Sequence, residues 1–312
     1  MGAQATAPAS TTTEVVRQAL IGKGKSRREW LFEAVLLLAL LFGLAVLLTL
    51  LVDVWQEGGS VLMDRGGDFV TSNLSSIPER AGIRQGLLGS LMLMGFVVVL
   101  ALPLGIAASI YMEEYAGDSR LNRFINANIR NLAGVPAIVY GILGLQVFVL
   151  LLVKVTRGRS LLSGGLTMAI LVLPIAIITS AEAIRSVPNS IREAGYGVGA
   201  TRWEVIRSHV LPYAAPGIFT GTILTLSRAI GETAPLLMIG AVTGFFASPD
   251  AGFVDTLQAK YTALPTVIYT WARRSQSAFG NDTAAAILVL LGLMLAINAV
   301  AILLRNRYER KW

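Results

Sequence analysis

Apolar residues gather into six long runs, 31–52, 86–112, 131–153, 160–181, 213–243 and 283–304, separated by segments in which charged and turn-forming residues mix. A helix rises about 1.5 Å per residue, so about 20 apolar residues cross a hydrocarbon layer about 30 Å thick. Each run meets that length, and the pattern predicts an all-α integral membrane protein with six transmembrane helices. No charge interrupts 86–112, 131–153, 160–181 or 283–304, and Glu33 lies near the edge of the first run. The fifth run differs, because it carries Arg228 and Glu232.

The segments between runs are uneven in character. Residues 182–212 are long, mixed in charge and compatible with short helices, with Pro188 before Asn189 and Ser190 as candidate caps and Pro212 expected to close the loop. Two other stretches, 53–85 and 244–282, are also long. Within the second, Leu264-Pro265-Thr266-Val267-Ile268-Tyr269-Thr270-Trp271 is too short to span and rich in interfacial aromatics, which suits a re-entrant or surface helix or an ordinary folded loop. Gly217 and Gly221 place small residues four apart, a spacing that lets helices approach closely. The first fourteen residues, rich in Ala, Thr and Ser, read as a disordered tail with no convincing processing site before the first span, which is expected to be retained.

Composition agrees with the pattern: 54% hydrophobic residues, 14% charged and a mean hydropathy of +0.65 leave too little polar surface for a water-soluble fold. The net charge of +7 would suit nucleic acid in a soluble domain. Here the basic residues flank apolar runs, where lipid headgroups and topology account for them, and no nucleic-acid partner is expected. Sixteen Lys and Arg lie in the N-terminal tail, 113–130, 182–212 and the C-terminal tail, against nine in the alternate loops. The positive-inside rule therefore puts both termini and the 182–212 loop in the cytoplasm. The chain has no Cys and one His, His209, which excludes thiolate sites and disfavours a histidine metal site. Gly24-Lys25-Ser26 resembles the end of a phosphate-binding loop, but Ala19 stands where that loop needs Gly, so no nucleotide site is expected in this chain.

Arg228 and Glu232 stand four residues apart, on one face of a continuous helix. A lone charge at the centre of a span costs about 2.5–3.5 kcal/mol on insertion scales, so such groups pair or line a wet cavity. One account is an ion pair that fixes packing. The other is a pathway in which Arg228 attracts an anion and Glu232 tunes or releases it; Arg suits a tetrahedral oxyanion because its planar fork donates several hydrogen bonds and stays charged. Thr225, Ser227 and Thr233 are candidate additional donors, although Thr and Ser in spans commonly bond back to their own helix. Tyr140 and Trp271 read as packing or interface anchors.

The 182–212 loop carries Glu193-Ala194-Gly195, then Gly199, then Leu211-Pro212. This resembles the coupling loop of ABC importer permeases, with Gly195 in place of a second Ala and His209 where Ile is usual. Ser227-Arg228-Ala229-Ile230-Gly231-Glu232-Thr233-Ala234-Pro235-Leu236-Leu237 resembles a signature of phosphate importer permeases, as does Gly134-Val135-Pro136-Ala137-Ile138-Val139-Tyr140-Gly141. Leu264-Pro265, Ile268-Tyr269 and Trp271-Ala272 are similar to the A-type subunit. Ile178, after Pro174, stands where some members carry an Arg.

The resemblance, over roughly 85–305, implies a type I ABC importer permease fold in the bacterial cytoplasmic (inner) membrane, with a basic tail at 1–30, the first span and an extracytoplasmic loop at 31–85, a permease core at 86–305 with its coupling loop at 186–212, and a tail at 306–312. It implies a non-enzymatic subunit for ATP-driven uptake of inorganic phosphate, with no cofactor of its own, since ATP and Mg are bound by the ATPase. The implied partners are a homologous permease, two ATP-binding subunits, an extracytoplasmic phosphate-binding protein and membrane lipid. Arg228, Glu232 and Thr233 are implied as pathway residues, and Glu193, Ala194, Gly199, Leu211 and Pro212 as contacts of the ATPase. A permease for sulfate or another oxyanion, and a secondary transporter or channel, are the alternatives.

Overall fold

The computed structural model describes residues 26–241 and 252–308, which divide into two units at residue 53. Helix is the only regular structure among the described residues. The expected tail at 1–14, the phosphate-loop look-alike at Gly24-Lys25 and the last four residues lie outside them.

The first run belongs to α1 (Arg27–Thr71), whose residues in the first unit include exposed Leu40 and Phe42, as suits a lipid-facing surface. The helix continues to Thr71, so more than half of the expected 53–85 loop is helical, with a non-helical backbone at Arg65. Gly58, Asp64 and Gly66-Gly67 weaken the apolar pattern there, and tertiary partners stabilise the helix instead. Arg65 donates to the carbonyls of Pro78, Glu79 and Ala81 at 2.9–3.0 Å and pairs with buried Asp282. Trp271 lies between Phe69 and Phe279, with ring centroids 6.2 and 5.7 Å away.

Of the remaining runs, three are single long helices: α2 (Arg84–Tyr115), α5 (Leu161–Arg185) and α11 (Ala278–Tyr308). The last continues past residue 305, where a tail is expected. Two runs differ from the sequence reading. The run at 131–153 is divided between α3 (Arg120–Ala133) and α4 (Ala137–Leu151), which meet at 101°. Pro136 removes a donor and pushes Val135 out of the helical region, so the helix cannot continue through Gly134-Val135-Pro136. The expected 113–130 loop is thus mostly helix.

The run at 213–243 belongs to α7 (Arg202–Gly231), a break, and the short α8 (Ala234–Ile239). Pro235 has no N–H to give to Gly231, and Glu232 turns extended (ψ 118°), which ends α7. Pro212 does not close the preceding loop, because α7 runs through it. A widened π turn at Ile206–Val210 immediately precedes it and makes room for the ring that would otherwise crowd the carbonyl four residues earlier.

The core forms where α2, α4, α5, α7 and α8 meet, around Val97, Met168, Val172, Leu226, Ile230 and Leu236. Helices α5 and α7 approach at the expected small residues: a Cβ on Gly217 would stand 2.7 Å from that of Ala183, and one on Gly221 2.6 Å from that of Thr179. After residue 252 come the short α9 (Phe253–Gln258) and, from the aromatic segment, α10 (Leu264–Ala272), with Leu264, Val267 and Trp271 buried against the start of α2 and α11.

Candidate functional site

Arg228 and Glu232 meet, but not on an unbroken helix. Arg228 lies in the last turn of α7, and Glu232 is the residue at which the chain leaves it. The pair closes at 3.3 Å between Nε and Oε1, with side chains 42% and 18% exposed. Thr233 is the next residue, partly buried, and its carbonyl accepts the amide of Leu237 at the start of α8. The three residues thus sit at the end of the membrane-length helix Arg202–Gly231, and the carboxylate is carried by irregular backbone. Non-helical backbone at membrane depth is tolerated where protein or a wet cavity satisfies it.

The break is braced on two sides. Pro235 packs on Gly141 of α4, where a Cβ would stand 2.7 Å from the Pro235 Cα and 3.0 Å from the Met238 Cβ. The two motifs singled out in the sequence, 134–141 and 227–237, therefore touch through a position that only hydrogen fits. On the other side, Ser227 donates to Asn298 Oδ1 of α11 at 2.8 Å. Asn298 was missed by sequence reasoning although it is a polar side chain inside an otherwise apolar run, which is the signal that marks it. Thr225 is buried and donates back to Gly221 at 2.8 Å, so of the three candidate donors it is the one committed to its own helix.

The 186–212 loop forms α6 (Asn189–Gly197), a turn and the first turns of α7. Pro188, rather than Asn189 or Ser190, occupies the position before α6. Gly199 carries φ +84°, a left-handed conformation that favours glycine, and makes the turn between the two helices. Thr201 and Glu204 then cap the start of α7 reciprocally, at 2.7 and 3.4 Å. Gly195 is buried against Val205, whose Cγ2 would lie 2.7 Å from any Cβ there, which accounts for Gly in place of Ala. Glu193, Ala194 and Gly199 are exposed, Leu211 is partly buried and Pro212 exposed. Tyr196, Val198 and Trp203 add exposed apolar surface to the same loop.

Two ion pairs fasten the end of α5 and the loop that follows it to the end of α2, and neither is evident from the sequence pattern. Arg192 binds Glu114 at 2.7 and 3.0 Å and also donates to the carbonyls of Ile184 and Val187, with the carboxylate side chain 4% exposed. Arg185 grips Glu113 in a bidentate contact at 2.5 and 3.1 Å. Adjacent acids at the end of an apolar run were the available signal.

Residues 101–312 match the family described as binding-protein-dependent transport system inner membrane component. The phosphate transport system permease protein PstA 1 of Mycobacterium tuberculosis (strain CDC 1551 / Oshkosh) is 32% identical over 249 residues, 79% of each chain. The phosphate transport system permease protein PstC of Mesorhizobium japonicum is 31% identical over 298 residues, 88% of this chain and 86% of that one. Among solved structures, a chain of a bacterial alginate ABC transporter in complex with a pentasaccharide-bound periplasmic protein matches with TM-score 0.64 and 16% identity, over 88% of this chain and 93% of that one. A chain of the inward-facing methionine transporter MetNI matches with TM-score 0.57 and 18% identity, over 73% and 95%. Both share the fold.

Proposed function

We propose, since the chain belongs to the family of binding-protein-dependent transport system inner membrane components, that it is the A-type permease subunit of an ATP-driven importer of inorganic phosphate in the bacterial cytoplasmic membrane. The observation that carries this reading is the Arg228–Glu232 pair at the broken end of α7, taken with the phosphate permeases to which the chain is similar. Glu232 pairs with Arg228 at 3.3 Å. An entering phosphate competes with that carboxylate for the guanidinium fork, so occupancy exchanges one anion for another and does not strand a charge in a low dielectric. Because Glu232 can return, binding stays weak enough to release, as conduction requires. Thr233, beside the break, is the candidate hydroxyl for the same anion.

In this reading the 186–212 loop lies in the cytoplasm and Glu193, Ala194, Gly199, Leu211 and Pro212 contact one of two ATPase subunits, which bind the ATP and Mg. Closure of the ATPases pushes on α6. The Arg192–Glu114 and Arg185–Glu113 pairs carry that push into α2 as well as into α5 and α7. A homologous permease completes the pathway, and an extracytoplasmic binding protein delivers the phosphate. Differential affinity for the nucleotide-bound state supplies the conformational bias.

The test is co-purification of the chain with those partners in lipid vesicles, followed by ATPase assays with the binding protein. Stimulation by phosphate and not by sulfate is expected. A sulfate-specific response would assign another oxyanion, and uptake by the chain without any ATPase would replace the importer by a secondary transporter or channel.

A further inference from the structure

Helix α3 has two faces. Its apolar residues, Leu121, Phe124, Ile125, Ile129 and Leu132, recur at three- and four-residue spacing, and it carries Arg120, Arg123 and Arg130 with no carboxylate. One side packs on the protein: Asn126, Ile129 and Arg130 line a small cleft with Ile178, Glu182 and Arg185. The other side is uncovered, with Leu121 66% and Phe124 65% exposed.

The orientation of α3 follows from its neighbour. Helix α4, built from 137–151, is free of charge and is the apolar limb of a bent pair that reaches membrane length only together with α3, and an apolar limb of this kind enters the bilayer within about 20° of the normal. The 101° turn between the two then lays α3 nearly in the plane of the membrane, at the end of the bundle that carries Glu113, Glu114 and the 186–212 loop. The turn is held by several bonds. The Tyr140 hydroxyl donates to the Leu132 carbonyl at 2.8 Å, and the amides of Gly134 and Val135 donate to Asn131 and Leu132 at 3.1 Å.

We propose that α3 is a membrane-surface helix whose Leu121 and Phe124 enter the acyl boundary while Arg120 and Arg123 bind anionic lipid headgroups. A helix lying in the plane with one apolar side and basic flanks is the form that binds such an interface. Basic residues near an anionic surface are favoured by its negative potential. Asp118 binds Arg123 at 3.1 Å, but both side chains are exposed, the arginine at 64% and the aspartate at 81%, so the contact leaves the arginine open to headgroups. Through Asn126, Ile129 and Arg130 the seated helix also fixes the end of α5, which leads into the 186–212 loop. The inference holds whichever oxyanion is carried.

The chain has no cysteine, so single spin-labelled variants report without background. L121C, F124C and V198C are placed in the full chain, reconstituted alone and with its partner permease, in vesicles of phosphatidylcholine with and without phosphatidylglycerol. Val198, 84% exposed on the loop, is the water-facing reference. Labels at 121 and 124 are expected to meet dissolved oxygen more often than a water-soluble nickel chelate, the reverse of 198. Phosphatidylglycerol should deepen them, and R120Q with R123Q should abolish that lipid response while leaving the depth in pure phosphatidylcholine unchanged. Access of the chelate to 121 and 124 equal to that at 198 would overturn the proposal, as would a lipid response that survives loss of both arginines. Shielding from both probes that arises only with the partner permease would assign the face to a subunit contact and overturn it too.

Discussion

A Cβ added to Gly141 would lie 2.7 Å from the Cα of Pro235, so α4 and α8 touch backbone to backbone beside the broken end of α7. Real side-chain carbons do not stand that close to a main-chain atom, and Pro235 cannot yield without moving the break that positions Glu232 and Thr233. Gly141→Ala should therefore cost about 1–3 kcal/mol through overpacking. It should also reduce phosphate uptake by more than its effect on assembly explains. Thermal unfolding in detergent and uptake in vesicles check the two halves; wild-type values in both would show that the helices separate freely.

The turn at Gly199 and the contact at Gly195 fail in different ways when substituted. At Gly199 a Cβ would meet no atom within 4 Å, yet φ is +84°, so the cost is backbone strain of about 1–3 kcal/mol. Gly199→Val should leave insertion intact and uncouple ATP hydrolysis from transport. At Gly195 the backbone is ordinary and the obstacle is Val205, so Gly195→Ala should be rescued by Val205→Ala. ATPase rate against uptake rate, measured in the same vesicles, separates coupling from folding. Equal rescue of Gly199→Val by Val205→Ala would contradict this division.

Arg192 holds Glu114 at the base of α2 and the carbonyls of Ile184 and Val187 at the end of α5, with the carboxylate almost wholly buried. Removing one member of such a pair costs about 3–5 kcal/mol, because the other charge is left unpaired. Arg192→Gln should lower the unfolding temperature of the purified chain, and Glu114→Gln in the same chain should restore part of the loss. A stability unchanged by Arg192→Gln would mean that the loop is held by its apolar contacts alone.

The all-helical membrane fold was legible because six runs of about twenty apolar residues admit little else. The corners were not. Gly134-Val135-Pro136 and Gly231-Glu232-Thr233-Ala234-Pro235 sit inside apolar runs, and a hydropathy count passes over them, although each contains the proline that ends a helix. The amphipathic α3 escapes a hydropathy count for the complementary reason: its Arg and Asn residues lower hydropathy, while its three- and four-residue periodicity is that of a helix with one polar side. Gly199 was legible from its place four residues beyond Gly195 in the loop motif, whereas the meeting of Gly141 with Pro235 joins positions nearly a hundred residues apart and no local pattern reports it. The Arg65–Asp282 contact is of the same kind.

The role of Arg228 is decided by treating it and Glu232 together. If the 3.3 Å pair only fixes the break between α7 and α8, each single neutralisation strands one partner and their joint removal recovers function. If Arg228 attracts phosphate, Arg228→Gln with Glu232→Gln restores assembly, since no charge is left unpaired, but leaves nothing to draw the anion from water. We expect the double variant to associate with its partner subunits as the wild type does and to take up little phosphate in membrane vesicles. Glu232→Gln alone should differ from both, because Arg228 then lacks its competitor: phosphate should be held longer at the break, and turnover should fall through slow release. Substantial uptake by the double variant would make Arg228 a packing residue and move the anion pathway elsewhere.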